Sequence, residues 1–531
     1  MQMLTDAGGA PLRGATSGSL VLAVDQGTSA TKAIAVDDAG AVAARSTQAM
    51  EQHFPRPGWA EQDAEELWAS VQRAVADCLT QVDATRVVAL ALSTQRESTL
   101  VWDRASGRPL GPILSWQDTR GARLCTQLHD GGHADKIRNL TGLPLDAMFS
   151  ASKASALLDA HDLDRSRSRT GQLCLGTVDS WLIWKLTGAH LIEAGNAGRT
   201  QLLDITTRRW DPWLLELFNV PLQVLPQVTA STGPFPTVKG LHPDLAAVPL
   251  TGVLGDSHAA LFAHAGWQPG RVKVTYGTGS SVMGVAPSEQ HPHPGIARTI
   301  AWEIDQPCYA LEGNIRSSGA TLVWLSRLLG VSVAEIAARA ANTTGGVTLV
   351  PAFTGLGAPW WDDRAQGLIS GLSETTRVEH LARAALESIA HQIEDVVAAV
   401  EGTAGAIEVL LADGGPSTNA TLMQLQADTS GRRVEVSEVS ELSALGAAHL
   451  AGIGAGLWSL QDLQERPVVR TLYQPEESAV SRGQRQQSWH TAITAACSIP
   501  RAVPHDTPHA VPHDTPHAVP HDTPHAVPHD T

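Results

Sequence analysis

Polar residues are concentrated in the segment DQGTSATK, residues 25–32, between two short apolar runs. The runs at 22–24 and 33–36 predict adjacent strands of a hairpin, with this segment as the turn. A hairpin turn needs only the glycine, so the additional carboxylate and hydroxyl groups indicate a loop that holds a ligand rich in oxygen atoms. These additional residues are Asp25, Thr28, Ser29 and Thr31.

Two more glycine-rich loops occur later in the chain, TYGTGSS at 275–281 and LLADGGPSTN at 410–419. Backbone N–H groups in such turns and at helix N-termini form anion-binding sites. Two phosphate loops and a later glycine loop indicate a nucleotide bound in a cleft between two domains. None of the three loops has the Gly-Lys-Ser/Thr ending of a Walker loop or a dinucleotide fingerprint.

Asp256 follows the apolar run VPLTGVL and precedes the helix-like segment SHAALFAHAG. This order places its carboxylate at the end of a strand, where it can accept the proton of an alcohol within hydrogen-bond reach. The alternative is that Asp256 is a helix N-cap, a position that Asp favours, and the two roles are compatible. We interpret His258 and His264, in the same segment, as ordinary helix residues.

Strand-like and helix-like segments alternate through the N-terminal half, which indicates an α/β domain. The segment 63–79 repeats apolar residues at helical spacing and begins with Asp63 as a candidate N-cap. An apolar run, an aspartate and a hydroxyl-rich turn occur again at 252–284 and predict a second α/β domain. Further strands are predicted at 87–92 and 99–102, and further helices at 378–401 and 419–431.

The composition and charge limit which classes of protein and which binding partners are expected. A chain of 531 residues with 43 % apolar and 17 % charged residues predicts two or three globular domains. Its net charge of −16 argues against a nucleic-acid partner or an anionic membrane surface, and no apolar run reaches the length of a bilayer span. Five scattered cysteines and an N-terminus without a signal-peptide pattern predict reduced thiols in the cytoplasm, without a disulfide or zinc site.

The last thirty residues, 502–531, repeat AVPHDTPH with a period of eight. Proline at every fourth position prevents both a helix and a sheet ladder, so we interpret this tail as a disordered appendage. The alternative is that its seven histidines chelate a metal or give a pH-dependent charge.

From about Leu20 to Trp458 the chain resembles the FGGY carbohydrate kinases, and within them the glycerol kinases most closely. The resemblance is carried, in order, by DQGTSATKA, STQRESTLVWDRASGRPL, SWQDTR, GTVDSWLIWKLTG, GDSHAALFAHAG, TYGTGSS, VPAFTGLGAPWWD, GLISGLSETTRVEHLARAALE and LADGGPSTNATLMQLQAD. It implies two ribonuclease-H-like α/β domains of the actin/hexokinase type that flank an ATP cleft. We expect an N-terminal domain at 18–264, a C-terminal domain at 265–475 and an extension at 476–531, in a homodimer or homotetramer.

The same resemblance implies roles for individual residues. It makes Asp256 the general base, and it makes Asp25 the residue that holds Mg²⁺, through water. The residues implied to contact ATP are Thr28, Ser29, Lys32, Thr278, Gly319, Gly415 and Asn419. The residues implied to contact the acceptor substrate are Arg96, Glu97, Trp116, Met148, Asp256 and Ser257. The alternatives are a turn requirement for Gly319 and Gly415, and a surface salt bridge for Arg96 and Glu97.

Five positions depart from the pattern of the glycerol kinases: Lys32 replaces Arg, Met148 replaces Tyr, Ser257 replaces Gln, Ser281 replaces Phe and Val323 replaces Gln. Three of these changes alter the volume or hydrogen bonding of the acceptor pocket. The sequence therefore predicts ATP-dependent phosphorylation of a primary hydroxyl, with glycerol as the leading family candidate. A four- or five-carbon polyol or ketose, of the erythritol, xylulose or ribulose type, is the alternative. A sugar sensor without catalysis is a more distant one.

Overall fold

The computed structural model describes residues 18–286 and 293–499. The predicted disordered repeat at 502–531 lies outside the described residues. Within them, no single helix is long and apolar enough to cross a membrane. One pair, Gly319–Leu329 and Val333–Arg339, bent by 94°, reaches that length and composition only in combination.

Five strands form the N-terminal sheet, in which the first strand pairs antiparallel on one side and parallel on the other. In spatial order they are Val42–Ala49, Ala30–Asp37, Leu20–Gln26, Val87–Thr94 and Leu250–Gly255. The predicted hairpin is present, but its strands extend further than the apolar runs. The turn is therefore confined to residues 27–29.

Asp25 and Lys32 consequently lie opposite each other on paired strands and not in the turn. Thr31 is fully buried, and its hydroxyl lies 2.6 Å from the Ser70 hydroxyl in the core. The expectation that the Thr31 hydroxyl faces a ligand is therefore wrong. In a strand, alternate side chains point to opposite faces, and Thr31, the second residue of strand Ala30–Asp37, points inward.

Seven strands form the C-terminal sheet. In spatial order they are Ala297–Glu303, Pro307–Ile315, Ser280–Ala286, Arg271–Tyr276, Val409–Asp413, Arg433–Ser437 and Arg470–Tyr473. Its five central strands repeat the order and the directions of the N-terminal sheet. This arrangement confirms the expected pair of ribonuclease-H-like domains.

A smaller layer lies beside the N-terminal sheet and contains a four-stranded sheet. Its strands are Glu61–Gln62, Ile113–Leu114, Thr99–Asp103 and Leu173–Thr177. Two-stranded pairs join Leu203–Asp204 to Arg209–Trp210, Leu191–Glu193 to Gln227–Thr229, and Thr348–Val350 to Leu368–Ser370.

The described helices include those predicted from the sequence. Helix Ala64–Leu79 begins after Asp63, whose carboxylate accepts hydrogen bonds from the amides of Glu65 and Glu66, so the predicted cap is confirmed. The other helices are Ala122–Asp130, Ala134–Thr141, Ser150–His161, Ser166–Arg169, Val178–Thr187, Ala194–Gly198, Pro212–Leu217, Asp256–Ala263, Gly319–Leu329, Val333–Arg339, Val378–Ala404, Ala420–Ser430, Leu442–Gly454, Leu460–Glu465 and Ala479–Ser498.

The two domains share part of their core. Helix Leu442–Gly454, from the C-terminal half, packs on the N-terminal sheet and against helix Asp256–Ala263. The helices cross closely: a Cβ at Gly446 would lie 1.8 Å from the carbonyl oxygen of Ala259. Only glycine fits at this crossing, and the close approach fixes the two halves of the chain against each other.

Helix Ala479–Ser498 lies in the predicted C-terminal extension and packs on the C-terminal half of the chain. Trp489 is 1 % exposed in a cluster with Val350, Ala352 and Leu356. Its indole Nε1 donates to Asp395 Oδ2 at 2.7 Å. The extension therefore begins with a helix that buries a large side chain against the body of the protein.

We expect Trp489→Ala to lower the free energy of unfolding by about 3–5 kcal/mol, because it leaves a cavity and removes the shorter of two indole hydrogen bonds to Asp395 Oδ2. Urea unfolding measures this change, with Val480→Ala as a control because Val480 is an exposed residue of the same helix. A loss below about 1 kcal/mol for Trp489→Ala would show that the helix contributes little to the stability of the domain.

Candidate active site

Asp25 lies at the end of the first strand, beside the 27–29 turn. The Ser93 hydroxyl donates to its Oδ1 at 2.7 Å, and Oδ2 accepts no hydrogen bond from a described residue. Burial raises the pKa of Asp25 to about 6; Ser93 opposes the rise and the Asp256 carboxylate adds to it. A desolvated carboxylate with one oxygen free has the chemistry of a cation ligand.

The 27–29 turn contacts the segment that follows Arg96. The Trp116 indole Nε1 donates to Thr28 Oγ1 at 3.0 Å. The Trp116 backbone amide donates to Ser98 Oγ, also at 3.0 Å. Gln62, fully buried, donates to the Thr28 carbonyl at 2.6 Å, and Ser29 is exposed. The structure thus brings together the predicted residues Thr28 and Trp116, and Trp116 is 36 % exposed.

Asp256 is the first residue of helix Asp256–Ala263, and the N-cap is Gly255. The interpretation of Asp256 as the N-cap is therefore wrong by one position. Its Oδ1 accepts from the Ser257 amide at 2.6 Å and lies 3.4 Å from Arg96 Nε. Burial raises the pKa of Asp256 above its usual range, although Arg96 opposes the rise. An aspartate with a raised pKa is a better proton acceptor than an ordinary one.

Arg96 and Glu97 are both buried, so neither takes part in a surface salt bridge. Arg96 pairs with Glu312, through Nη2–Oε1 at 2.7 Å and Nη1–Oε2 at 3.1 Å. Glu97 accepts from Arg199 Nε at 2.5 Å, and Arg199 Nη1 donates to Glu312 Oε2 at 2.6 Å. Together with Asp256 these residues form a chain of five alternating charges, which we call the charge chain: Glu97, Arg199, Glu312, Arg96 and Asp256.

Sequence reasoning missed Arg199 and Glu312. Glu312 is an isolated carboxylate in the otherwise apolar strand PCYALEGNI. A charge in a strand of this kind is buried and needs a partner. That signal could have marked Glu312, although it does not identify its partners; Arg199 follows helix Ala194–Gly198 and lies outside such a strand.

His258 and His264 contact the site region from the helix that starts at Asp256. His258 Nε2 lies 3.3 Å from Arg96 Nη1, and burial, followed by the Arg96 charge, holds its pKa well below the usual range. His264 Nε2 lies 3.0 Å from Asp413 Oδ2, and Arg470 Nη1 lies 2.9 Å from His264 Nδ1. Since Arg470 can only donate, His264 is neutral and donates to Asp413.

Of the positions that depart from the glycerol kinase pattern, Ser281 contacts the charge chain, and Met148 lies beside a residue that does. Met148 packs against Leu143, Phe149 and Ala297, and the Phe149 ring lies under the Arg199 guanidinium at 5.2 Å. Ser281 Oγ donates to Glu312 Oε1 at 3.3 Å. The third, Ser257, is the residue after Asp256, in the first turn of the same helix.

The second glycine loop borders a cavity of about 800 Å³ in the C-terminal domain. The predicted residues Thr278, Gly319, Gly415 and Asn419 all line it. Its remaining walls are mostly apolar: Leu322, Val323, Val333, Ala334, Ala337, Ala338, Pro416 and Leu422. An apolar slot beside backbone N–H groups suits a flat heterocycle attached to phosphates.

The glycines near this cavity differ in whether, and why, the structure requires glycine at their positions. A Cβ at Gly319 would lie 2.5 Å from the Gly277 carbonyl oxygen, so glycine lets the loop pack on the helix N-terminus. Gly414 has φ +91°, and a Cβ there would lie 2.0 Å from the Tyr276 carbonyl oxygen. Gly415 has neither constraint and faces open space. The turn requirement therefore falls on Gly414 and not on Gly415, and Asn419 caps helix Ala420–Ser430 by accepting from Leu422 N at 3.0 Å.

Comparison with known proteins identifies, over most of the chain, the family that the sequence motifs resemble. Models of the N-terminal and the C-terminal domain of the FGGY family of carbohydrate kinases match residues 20–263 and 272–455. The chain belongs to this family. The apulose kinase of Pectobacterium atrosepticum is 41% identical over 493 residues, which cover 91% of this chain and 99% of that protein.

Two further FGGY relatives carry the name glycerol kinase. The enzyme of Aromatoleum aromaticum is 42% identical over 496 residues and covers 90% of this chain and 99% of its own length. The structure of Plasmodium falciparum glycerol kinase with ADP has a TM-score of 0.84 at 30% identity, and covers 90% of this chain and 98% of that one. As an FGGY kinase, the chain is a polyol or sugar kinase that uses a nucleotide.

We expect Gly415→Ala to fold normally, because its methyl group meets no described atom, but to weaken ADP binding about fivefold or more, because the methyl group would crowd a nucleotide bound in the cavity. Isothermal titration calorimetry with ADP measures the dissociation constant. Gly483→Ala, which also faces open space but lies in the C-terminal helix, is the matched control. Unchanged ADP affinity in Gly415→Ala would place the nucleotide elsewhere.

Proposed function

We propose that this FGGY kinase transfers the γ-phosphoryl group of ATP to a primary hydroxyl of a small polyol or ketose with at least four carbons. The observation that carries the proposal is the position of Asp256, whose carboxylate is held beside Arg96 Nε at 3.4 Å and has a raised pKa. A carboxylate of this kind accepts a proton from an alcohol, which is a poor nucleophile without such a base.

In the proposed reaction Asp256 accepts the proton of the acceptor hydroxyl while that oxygen forms a bond to the γ-phosphorus. The bond from the γ-phosphorus to the β–γ bridging oxygen breaks, and ADP leaves. Arg96 and Glu97 orient the acceptor by donating and accepting hydrogen bonds, which suits a diol. Trp116 provides an apolar wall along its carbon chain.

The nucleotide contacts in this proposal come from both domains. The base of the nucleotide occupies the apolar cavity beside Gly415 and Asn419. The phosphates of the nucleotide lie between the 27–29 turn and the 277–279 turn. The turn residues Thr28, Ser29 and Thr278 then contact the phosphates, and Gly319 supports the second turn. Lys32, opposite Asp25, adds a positive charge at the first turn.

Asp25 fits a magnesium ion, because one carboxylate oxygen is free and Mg²⁺ keeps several water ligands. When bound, Mg²⁺ would neutralise negative charge on the phosphate groups during transfer. Ser93 orients the carboxylate by donating to its other oxygen, so the side chain needs no rearrangement to receive the ion.

The acceptor is inferred from the pocket residues and not from overall identity. Met148 offers no hydrogen bond where the glycerol kinase pattern has a tyrosine. Ser257 and Ser281 are smaller than the residues they replace. Glycerol would leave space unfilled and carbons without apolar contact, whereas a longer chain fills the space and gives hydroxyls to the serines.

Glycerol is the second candidate, since the glycerol kinase of Aromatoleum aromaticum is 42% identical. A sensor without catalysis is less consistent with the site, because such a protein needs no general base and no cation-binding carboxylate beside the phosphates. The homo-oligomeric state, the cytoplasmic location and the domain limits stay predictions from the sequence.

We expect Asp256→Asn to lower kcat by about 10²–10⁴-fold, because the amide cannot accept the proton. ADP binding and the thermal midpoint should change little, since Gly255 and not Asp256 caps the helix. The assay is coupled ADP release, with Asp63→Asn as the control for a carboxylate whose role is capping. Turnover within a few-fold of the wild-type value would exclude the role of general base.

We expect kcat/KM for the best four- or five-carbon acceptor to exceed that for glycerol about 10- to 100-fold. The acceptors to compare by ADP release are glycerol, dihydroxyacetone, erythritol, threitol, xylulose and ribulose, with an acceptor-free reaction as the control. Met148→Tyr should raise the efficiency of glycerol relative to the longer acceptors. If glycerol is already the best acceptor of the wild-type enzyme, the plain glycerol kinase assignment replaces this one.

A further inference from the structure

Glu312 is a carboxylate of the C-terminal domain that holds a cation of the N-terminal domain. It is fully buried in strand Pro307–Ile315, and it pairs with both amino groups of Arg96. Although burial opposes ionisation, Arg199 and Arg96 hold the pKa of Glu312 below its usual range. Glu312 is therefore ionised, and its two oxygens fix the plane of the Arg96 guanidinium.

Arg199 gives the same support to the other acceptor-side residue. It is buried, and it bridges Glu97 Oε1 at 2.5 Å and Glu312 Oε2 at 2.6 Å. Its third nitrogen, Nη2, is buried without a hydrogen-bond partner among the described residues. The side chains of the adjacent residues Arg96 and Glu97 are thus linked through Glu312 and Arg199.

Glu312 also limits how Arg96 contacts Asp256. Both Nη atoms of Arg96 donate to Glu312, and Arg96 Nε lies 3.4 Å from Asp256 Oδ1. Without the negative charge of Glu312, Arg96 would turn its forked edge to Asp256, a carboxylate that it already contacts. The acceptor would then lose both a correctly placed donor and a free proton acceptor.

We propose that Glu312 and Arg199 are positioning residues for the acceptor substrate, which hold Arg96 and Glu97 in the orientation that binds its hydroxyls. This inference rests on the proposed function. Its substrate consequence is that the C-terminal domain, through Glu312 and Ser281, controls affinity for an acceptor whose direct contacts are mostly on the N-terminal domain. Neither residue contacts the reacting atoms in this scheme.

A purely structural link between domains is the competing explanation, and the chain offers a matched control. Arg208 of the N-terminal domain pairs with Glu303 of the C-terminal domain, and the Glu303 amide donates to Ser231 Oγ at 2.8 Å. Glu303 thus forms an Arg–Glu pair between domains, as Glu312 does, but it has no contact with the charge chain.

The experiment compares Glu312→Gln with Glu303→Gln by steady-state kinetics, varying acceptor and ATP separately, and by thermal unfolding. In Glu312→Gln we expect kcat/KM for the acceptor to fall about 10- to 100-fold with a raised acceptor KM, because a misplaced binding group costs that much. The KM for ATP should change less than about twofold. In Glu303→Gln the acceptor KM should stay within about twofold of the wild-type value.

Glu312→Asp, which keeps the charge on a shorter side chain, should have an acceptor KM between those of Glu312→Gln and the wild-type enzyme. If Glu312→Gln does not fold, the acceptor KM of Glu312→Asp tests the inference instead. An equal rise of the acceptor KM in Glu303→Gln, or an unchanged acceptor KM in both Glu312 variants, would overturn the inference while the kinase proposal stands. Absence of ATP-dependent turnover in the wild-type enzyme with every acceptor would instead overturn the proposed function, and this inference with it.

Discussion

The alternating charges of the charge chain, from Glu97 to Asp256, are the interaction on which the candidate site depends. Moving an ion out of water costs several kcal/mol, so four buried charges and one partly buried charge are stable only because each contacts a charge of opposite sign. Removal of Glu312 would leave Arg199 with Glu97 alone and Arg96 with Asp256 alone, at a cost of about 3–5 kcal/mol. Because Glu312 is the only member from the C-terminal domain, the same contacts orient the acceptor-side residues and set the position of one domain against the other.

The repeated sheet explains why each domain has a glycine turn at an equivalent place. In each domain the first strand leads through a glycine turn into an antiparallel second strand, and the two turns are at 27–29 and 277–279. The strand orders are the same, so the turns occupy equivalent places in the two domains. Helix Leu442–Gly454 then packs on the N-terminal sheet, with Gly446 against Ala259, and makes one core out of two duplicated units. The domains are therefore not independent bodies, and a ligand that contacts both turns lies between parts that are already joined.

The sequence predicted the features that depend on neighbours in the chain. The hairpin around residue 28, the cap at Asp63 and the helices near 378–401 and 419–431 are set by local periodicity and capping, and all are present. Thr31 and the Asp256 cap were predicted wrongly because a one-residue shift reverses the face of a strand residue or moves a helix start. The charge chain was not predictable, since its contacts join residues 102, 113 and 216 positions apart. Such contacts follow from the packing of two domains and leave no spacing in the sequence.

Acceptor choice in this kinase depends on few residues, and those residues are not independent of the charge chain. Relatives named apulose kinase and glycerol kinase are 41% and 42% identical to the chain, so overall identity does not discriminate between acceptors. Ser281 donates to Glu312, and Met148 packs beside Phe149, on whose ring the Arg199 guanidinium lies. Replacing Ser281 by a larger apolar residue would remove a hydrogen bond to Glu312 as well as fill space, and so would also act on Arg96. Pocket volume alone is therefore an incomplete guide to substrate preference here: the charge that holds Arg96 has to be considered together with the space in front of it.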